Sequence, residues 1–223
     1  MTAAVLAIGV LADCGEAGDQ RAGTVGRPAA HPAHPATPTR QISATLAKRA
    51  LLAVTDLPTG WTAKPDFAPS ATDTSEEYEG CPQYAAVTRK TQAMDDIGAE
   101  FTSPAGSDVV EGIEALTEGA ARQLLTEFSD AVTACPDIVS RTGDGTPFDL
   151  YLKALSFPKL GDDTFAARAT ATVDGTTVNL DFVMVRHGGV LISISQTVRG
   201  VIDTKTTEDV TRRAIAKVES VTS

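Results

Sequence analysis

Hydrophobic positions along the chain follow two periods. Over 41–54 (QISATLAKRALLAV), Ile42, Leu46, Ala50 and Val54 share one face at helical spacing, which predicts a short helix. The turn at 56–61 (DLPTGW) ends it, and the polar, aperiodic stretch 66–80 reads as a loop. Pro82 is placed to open a second helix, running to about Ala93. The longest helical pattern covers 108–134, where Val109, Ile113, Leu116, Ala120, Leu124, Phe128 and Ala131 form one stripe that Cys135 continues. Asp108 and Glu111 then read as its N-terminal capping arrangement, and Gly112 and Gly119 as sites of close backbone contact.

The other period is two. Ile97–Phe101 is a candidate early strand, and alternation dominates from Phe148 onward. Phe148, Leu150 and Leu152 alternate along 148–157, and Phe165, Ala167, Ala169, Ala171 and Val173 along 164–173. Asp174-Gly175 is a strong hairpin signal. Val178, Leu180, Phe182 and Met184 follow on one face, with Asn179 and Asp181 opposite. Gly188-Gly189 turns the chain into 190–198, where Ile192 and Ile194 oppose Ser193 and Ser195. A last helix spans 206–221 with Val210, Ala214, Val218 and Val221 on one face. The expected fold is α+β: an antiparallel sheet, made of a C-terminal meander of three to four strands and one earlier strand, with helices packed on one face.

The first forty residues follow neither period. Residues 3–12 (AAVLAIGVLA) form an apolar run as long as a signal-peptide core and too short to span a bilayer. It leads into Leu11-Ala12-Asp13-Cys14, which resembles a bacterial lipobox, with Cys14 as the lipidated residue. Asp13 stands where such sites carry a small residue, and no basic residue precedes the run, as expected if translation starts upstream of Met1. Plain secretion and a structural segment are the alternatives. Residues 15–40 are rich in Gly, Ala and Pro, have no period and read as a disordered tether. His31 and His34 fall within it, too few for a metal site. The predicted organisation is thus a signal segment over 1–14, a tether over 15–40 and one domain over 41–223.

Lipidation of Cys14 leaves two of the three cysteines, Cys81 and Cys135. Both precede proline, which puts each at an element boundary, and outside the cytoplasm a disulfide between them persists. The chain of 223 residues carries a net charge of −10, which disfavours nucleic acid as a partner. That charge is uneven: 41–150 holds 7 basic and 18 acidic residues, 151–223 holds 9 and 8. The acids either solvate the helices or present a surface to a cation or a basic partner.

Chemistry is harder to find. The sequence has no phosphate-binding loop, zinc-binding HExxH pair or GxSxG elbow. His187 is the one histidine outside the tether and borders a Gly-Gly turn. The adjacent acids Glu76-Glu77, Asp95-Asp96 and Asp162-Asp163 do not converge on one substrate atom, so no catalytic residue, metal or cofactor is expected. Trp61, Tyr78 and Tyr84 lie near the first cysteine of the domain, where aromatics fill a core or line a ligand cleft.

The order of lipobox, Pro-rich tether, DLPTGW, CPQY, TEFSDAVTAC, GDDTFAARATAT and VMVRHGGVLISISQ resembles actinobacterial exported lipoproteins related to the extracellular sensor domain of mycobacterial receptor kinases of the PknH type. The resemblance implies a disulfide-braced, helix-flanked antiparallel sheet with a groove for a ligand. Cys81 and Cys135 match one brace, and no cysteines are left for a second. The expectation is a membrane-anchored, non-catalytic, sensor-like domain on the outer face of the cell membrane that takes a small or lipidic ligand. The alternative is a module without a pocket that docks another envelope protein. The Ala167, Ala169 and Ala171 face helps separate them: small residues there leave room for a ligand or let a helix pack closely.

Overall fold

The computed structural model of the chain describes residues 42–65, 78–92, 97–141, 146–173 and 175–222. The signal, lipobox and tether readings, with Cys14, His31 and His34, lie outside them. So do Glu76-Glu77, Asp95-Asp96 and most of the 66–80 loop.

Among the described residues eight strands form one antiparallel sheet. They are β1 (Thr62–Ala63), β2 (Ile97–Thr102), β3 (Asp108–Ala115), β4 (Asp137–Arg141), β5 (Pro147–Ala154), β6 (Asp163–Val173), β7 (Thr176–His187) and β8 (Val190–Arg199). Their spatial order is β1-β2-β3-β8-β7-β6-β5-β4. The C-terminal meander is as the alternation predicts, with Val173 opposite Thr176 across Gly175 and His187 opposite Val190 across Gly188-Gly189. Among the described residues four α-helices complete the fold: α1 (Ala44–Ala50), α2 (Pro82–Gln92), α3 (Glu118–Ala134) and α4 (Thr204–Thr222). Ser43 caps α1 by accepting the Leu46 N–H at 3.2 Å.

The long helix expected over 108–134 is two elements. Residues 108–115 are strand β3, and α3 begins after its N-cap Thr117, whose hydroxyl accepts the Ala120 N–H. Val109 and Ile113 are four apart, a spacing that fits one helix face and one strand face equally well. Glu111 between them breaks the tie: Val109, Glu111 and Ile113 are all fully buried, a period of two. The β-branched residues and Gly112 favour the strand as well. Glu111 therefore faces inward and caps nothing. A Cβ at Gly112 would meet the side-chain oxygen of Ser193 at 2.6 Å, a side-chain contact in place of the backbone approach expected there, and nothing lies within 4 Å of one at Gly119.

The α+β class and the antiparallel sheet hold, but the helices lie on both faces instead of one. On β7, Val183 and Val185 join the core under α1 and α4, while Met184 joins the core under α2 and α3. Ile192 and Ile194 divide from Leu191 in the same way on β8. Strands that are apolar on both faces require cover on both. The two helix pairs are also offset: α1 and α4 pack over β2, β3, β8 and β7, and α3 over β5 to β8.

Candidate functional site

The sequence of β6 prepares a cleft. Its odd-numbered positions put Ala167 and Ala169 under α3, where larger side chains would fill the space between helix and sheet. A cavity of about 250 Å³ remains there. Its floor is Leu152 of β5, Ala167 and Ala169 of β6, Leu180 and Phe182 of β7, and Ser195 of β8. Its roof is Tyr84 and Thr88 of α2 with Phe128 and Val132 of α3.

Aromatic contacts build the wall. Tyr78 meets Tyr84 edge-on with centroids 4.9 Å apart, Tyr84 meets Phe128 edge-on at 6.3 Å, and Phe128 lies against Phe182 at 5.5 Å. The Thr88 hydroxyl donates to the Tyr84 carbonyl at 2.8 Å, which satisfies it within the helix. None of the ten lining residues is charged.

The roof is pinned at one end by the disulfide between Cys81 and Cys135, whose Cα atoms lie 5.9 Å apart. It joins the residue before α2 to the residue after α3. Cys81 Sγ also accepts the Tyr84 N–H at 3.2 Å, filling the role of an N-cap behind Pro82. Farther along, Lys90 donates to Glu127 at 2.8 Å and Gln123 donates to the other Glu127 oxygen at 2.7 Å. The Lys90 hydrogen bond holds the Glu127 carboxyl below its ordinary range. On the outer side of the roof Lys90 and Glu127 border a shallow furrow between the two helices.

Of the aromatics singled out in the sequence, Tyr84 lines the cleft and Tyr78 supports it from behind. Trp61 does not line it, because it packs against the core under α1 and α4. Phe128, Leu180 and Phe182 carry a periodicity signal in the sequence, but nothing there shows that their faces meet. Ser195 carries no signal as a cleft residue.

The remaining polar candidates have structural work. Arg186, 5 % exposed, donates to Asp163 at 2.7 Å and Asp162 at 3.2 Å, with Glu118 at 3.5 Å. The Arg186 hydrogen bond lowers the Asp163 pKa. His187 ends β7 beside this cluster. On the opposite face Glu111 is fully buried, and burial pushes its carboxyl up to about 7 despite the Leu52 N–H that it accepts. Its second oxygen, Oε1, has no hydrogen-bond partner.

No protein-family model matches the chain, and no curated protein sequence matches it. Among solved structures, it is similar to the extracellular domain of PknH from Mycobacterium tuberculosis, with a TM-score of 0.51 over 82 % of this chain and 98 % of that one. The two share a fold. At 13 % identity the likeness to the PknH domain is one of fold alone, and it meets the sequence resemblance at that level. No described helix is long and apolar enough to cross a membrane.

Proposed function

We propose that this chain is a non-catalytic, sensor-like domain of an exported lipoprotein, and that it binds a small or lipidic ligand in the cleft between α2–α3 and the sheet. One observation carries the reading: Ala167 and Ala169 leave an apolar, aromatic-walled cavity of about 250 Å³ under a disulfide-pinned helix pair. The absence of any Asp, Glu, His, Lys or Arg among the lining residues supports binding over chemistry. The shared fold with the PknH extracellular domain supports a place outside the cell. In this reading Cys14 takes the lipid anchor and 15–40 tethers the domain to the outer face of the membrane.

Native mass spectrometry tests the binding. The protein is exported to an oxidising compartment and purified without detergent, and an extra mass released on denaturation supports the reading. A bare chain, two hydrogens light for the disulfide, favours the alternative of an acidic surface docking an envelope protein. Cys14→Ala tests the anchor, because it should release the protein from the membrane fraction.

A further inference from the structure

One row of side chains crosses the sheet beneath α1 and α4 and is apolar at every position but one. Ala166 of β6 pairs with Val183 of β7, Val183 with Ile194 of β8, Ile194 with Glu111 of β3, and Glu111 with Ala99 of β2. Val109 and Ile113, its neighbours on the same face of β3, are apolar as well. Glu111 is fully buried in this setting, and only one of its oxygens is bonded. Oε2 accepts the Leu52 N–H at 2.7 Å, and no described residue bonds Oε1. A buried oxygen without a partner costs stability, and far more once it carries charge.

The charged groups on the surrounding elements do not supply that partner. Lys48 and Arg49 of α1 are exposed. On α4, Lys217 pairs with the Asp56 carboxylate, and Arg213 donates to the Asp56 carbonyl at 2.9 Å. Lys217 and Asp56 act on Glu111 in opposite senses. The flanking strands bring only Ala99 and Ile194.

The chain that covers Glu111 is slight. Residues 42–57 hold a helix of seven residues and a turn, and they bury Ala47, Ala50, Leu52 and Leu57. A helix of that length is not stable without the surface it packs on. The segment contributes no strand, so lifting it would bring water to both Glu111 oxygens while the pairing of β2, β3 and β8 stays whole.

We propose that residues 42–57 are a proton-linked clasp, which closes over Glu111 while its carboxyl is neutral and lifts from the sheet when it ionises. The clasp lies on the face away from the cleft and does not depend on ligand binding there. Under the clasp, burial pushes the carboxyl up to about 7, whereas in the lifted form it is a solvated glutamate near 4.5. Closing therefore takes up a proton, and rising pH favours opening. Between pH 5.5 and 7.5 the lifted population should grow on the order of 20-fold. Asp56, held low by its Lys217 hydrogen bond, stays ionised across that range.

Hydrogen exchange on the intact, disulfide-bonded chain tests the clasp, with rates corrected for the intrinsic effect of pH. The Leu52 amide reports lifting, and the Val183 and Val185 amides in the middle of the sheet report unfolding of the whole domain. At pH 7.5 Leu52 should exchange roughly tenfold faster than Val183 and Val185, or more. Its opening should also be about 20-fold greater than at pH 5.5. Glu111→Gln keeps an acceptor for Leu52 and cannot ionise, so there the ratio between the two pH values should fall to about one.

Leu52 exchanging in step with Val183 and Val185 overturns the proposal, because water then reaches Glu111 only by unfolding the domain. This comparison needs no variant, so it decides even if Glu111→Gln fails to fold. A ratio near one in the unsubstituted protein, or a ratio that survives in a folded Glu111→Gln, overturns it as well.

Discussion

The backbone N–H of Leu52 donates to Glu111 Oε2 over 2.7 Å, tying the chain just beyond α1 to the middle of β3 across 59 residues of sequence. This carboxyl is fully buried, and the charges acting on it are Lys217 on α4 and Asp56 in the turn that follows Leu52. The Lys217–Asp56 ion pair bridges those two elements, and the Lys217 hydrogen bond lowers the Asp56 pKa.

Glu111 makes stability depend on pH in an unusual direction. In the fold it holds its proton up to about pH 7, against 4.5 for an ordinary glutamate. Below 4.5 both folded and unfolded chains are protonated and the stability linked to this proton is fully present. As pH rises through 7 that stability is lost, on the order of 3 kcal/mol. Glu111→Gln keeps the acceptor for Leu52 and cannot ionise. Its stability relative to the unsubstituted protein should therefore increase between pH 4.5 and 8, as urea titrations at the two pH values would show.

The disulfide joins residues 54 apart, so removing it frees a long loop in the unfolded chain. Replacing Cys81 and Cys135 together by alanine should cost about 4 kcal/mol. Protease cleavage should then concentrate in α2, which the sulfur both caps and pins. Cleavage confined to other segments would show that the bond does not hold the roof of the cleft.

Arg168 grips Asp181 with two hydrogen bonds, at 2.6 and 2.8 Å, and also donates to Thr204. The two ends of the pair differ, because Asp181 is fully buried while the Arg168 side chain keeps 28 % of its exposure. Arg168→Ala strands a buried carboxylate with the Thr204 hydroxyl and should cost about 3 kcal/mol. Asp181→Asn should cost less, since the guanidinium reaches water. Equal losses in denaturant midpoint would contradict this asymmetry.

Two neighbouring glycines serve different ends. Gly188 sits at φ 59° with open space where a Cβ would go, so alanine there should cost only the left-handed backbone, about 1 kcal/mol. A Cβ on Gly189 would lie 2.4 Å from the Leu116 carbonyl oxygen, which must then move. Leu116 also donates its N–H to the Gly189 carbonyl at 2.8 Å, which carries the antiparallel β3–β8 pairing one residue farther. Gly189→Ala should therefore cost about 3 kcal/mol, and denaturation of the two variants side by side checks the ranking.

Strands β5 to β8 are plain in the sequence because alternation and turn residues agree there. Residues 108–115 are not, because Val109 and Ile113 satisfy both periods and the burial of Glu111, which decides between them, is visible only in the fold. The second helix layer is signalled by Phe182-Val183-Met184-Val185, four apolar residues in a row, which call for cover on both sides of β7. The cleft is half legible. Tyr84 and the alanine face are visible in the sequence, and so is the disulfide. The meeting of Phe128 with Phe182 depends on strand order, and Trp61 is drawn to the larger core on the other face.

The first and last described helices, α1 and α4, pack side by side on the face turned away from the cleft. A pull applied at residue 42 is therefore borne by α1, by Glu111 in the sheet and by the Asp56–Lys217 link to α4. The roof over Ala167 and Ala169 lies on the opposite face, so a load entering at residue 42 meets the sheet first from the side away from the cleft.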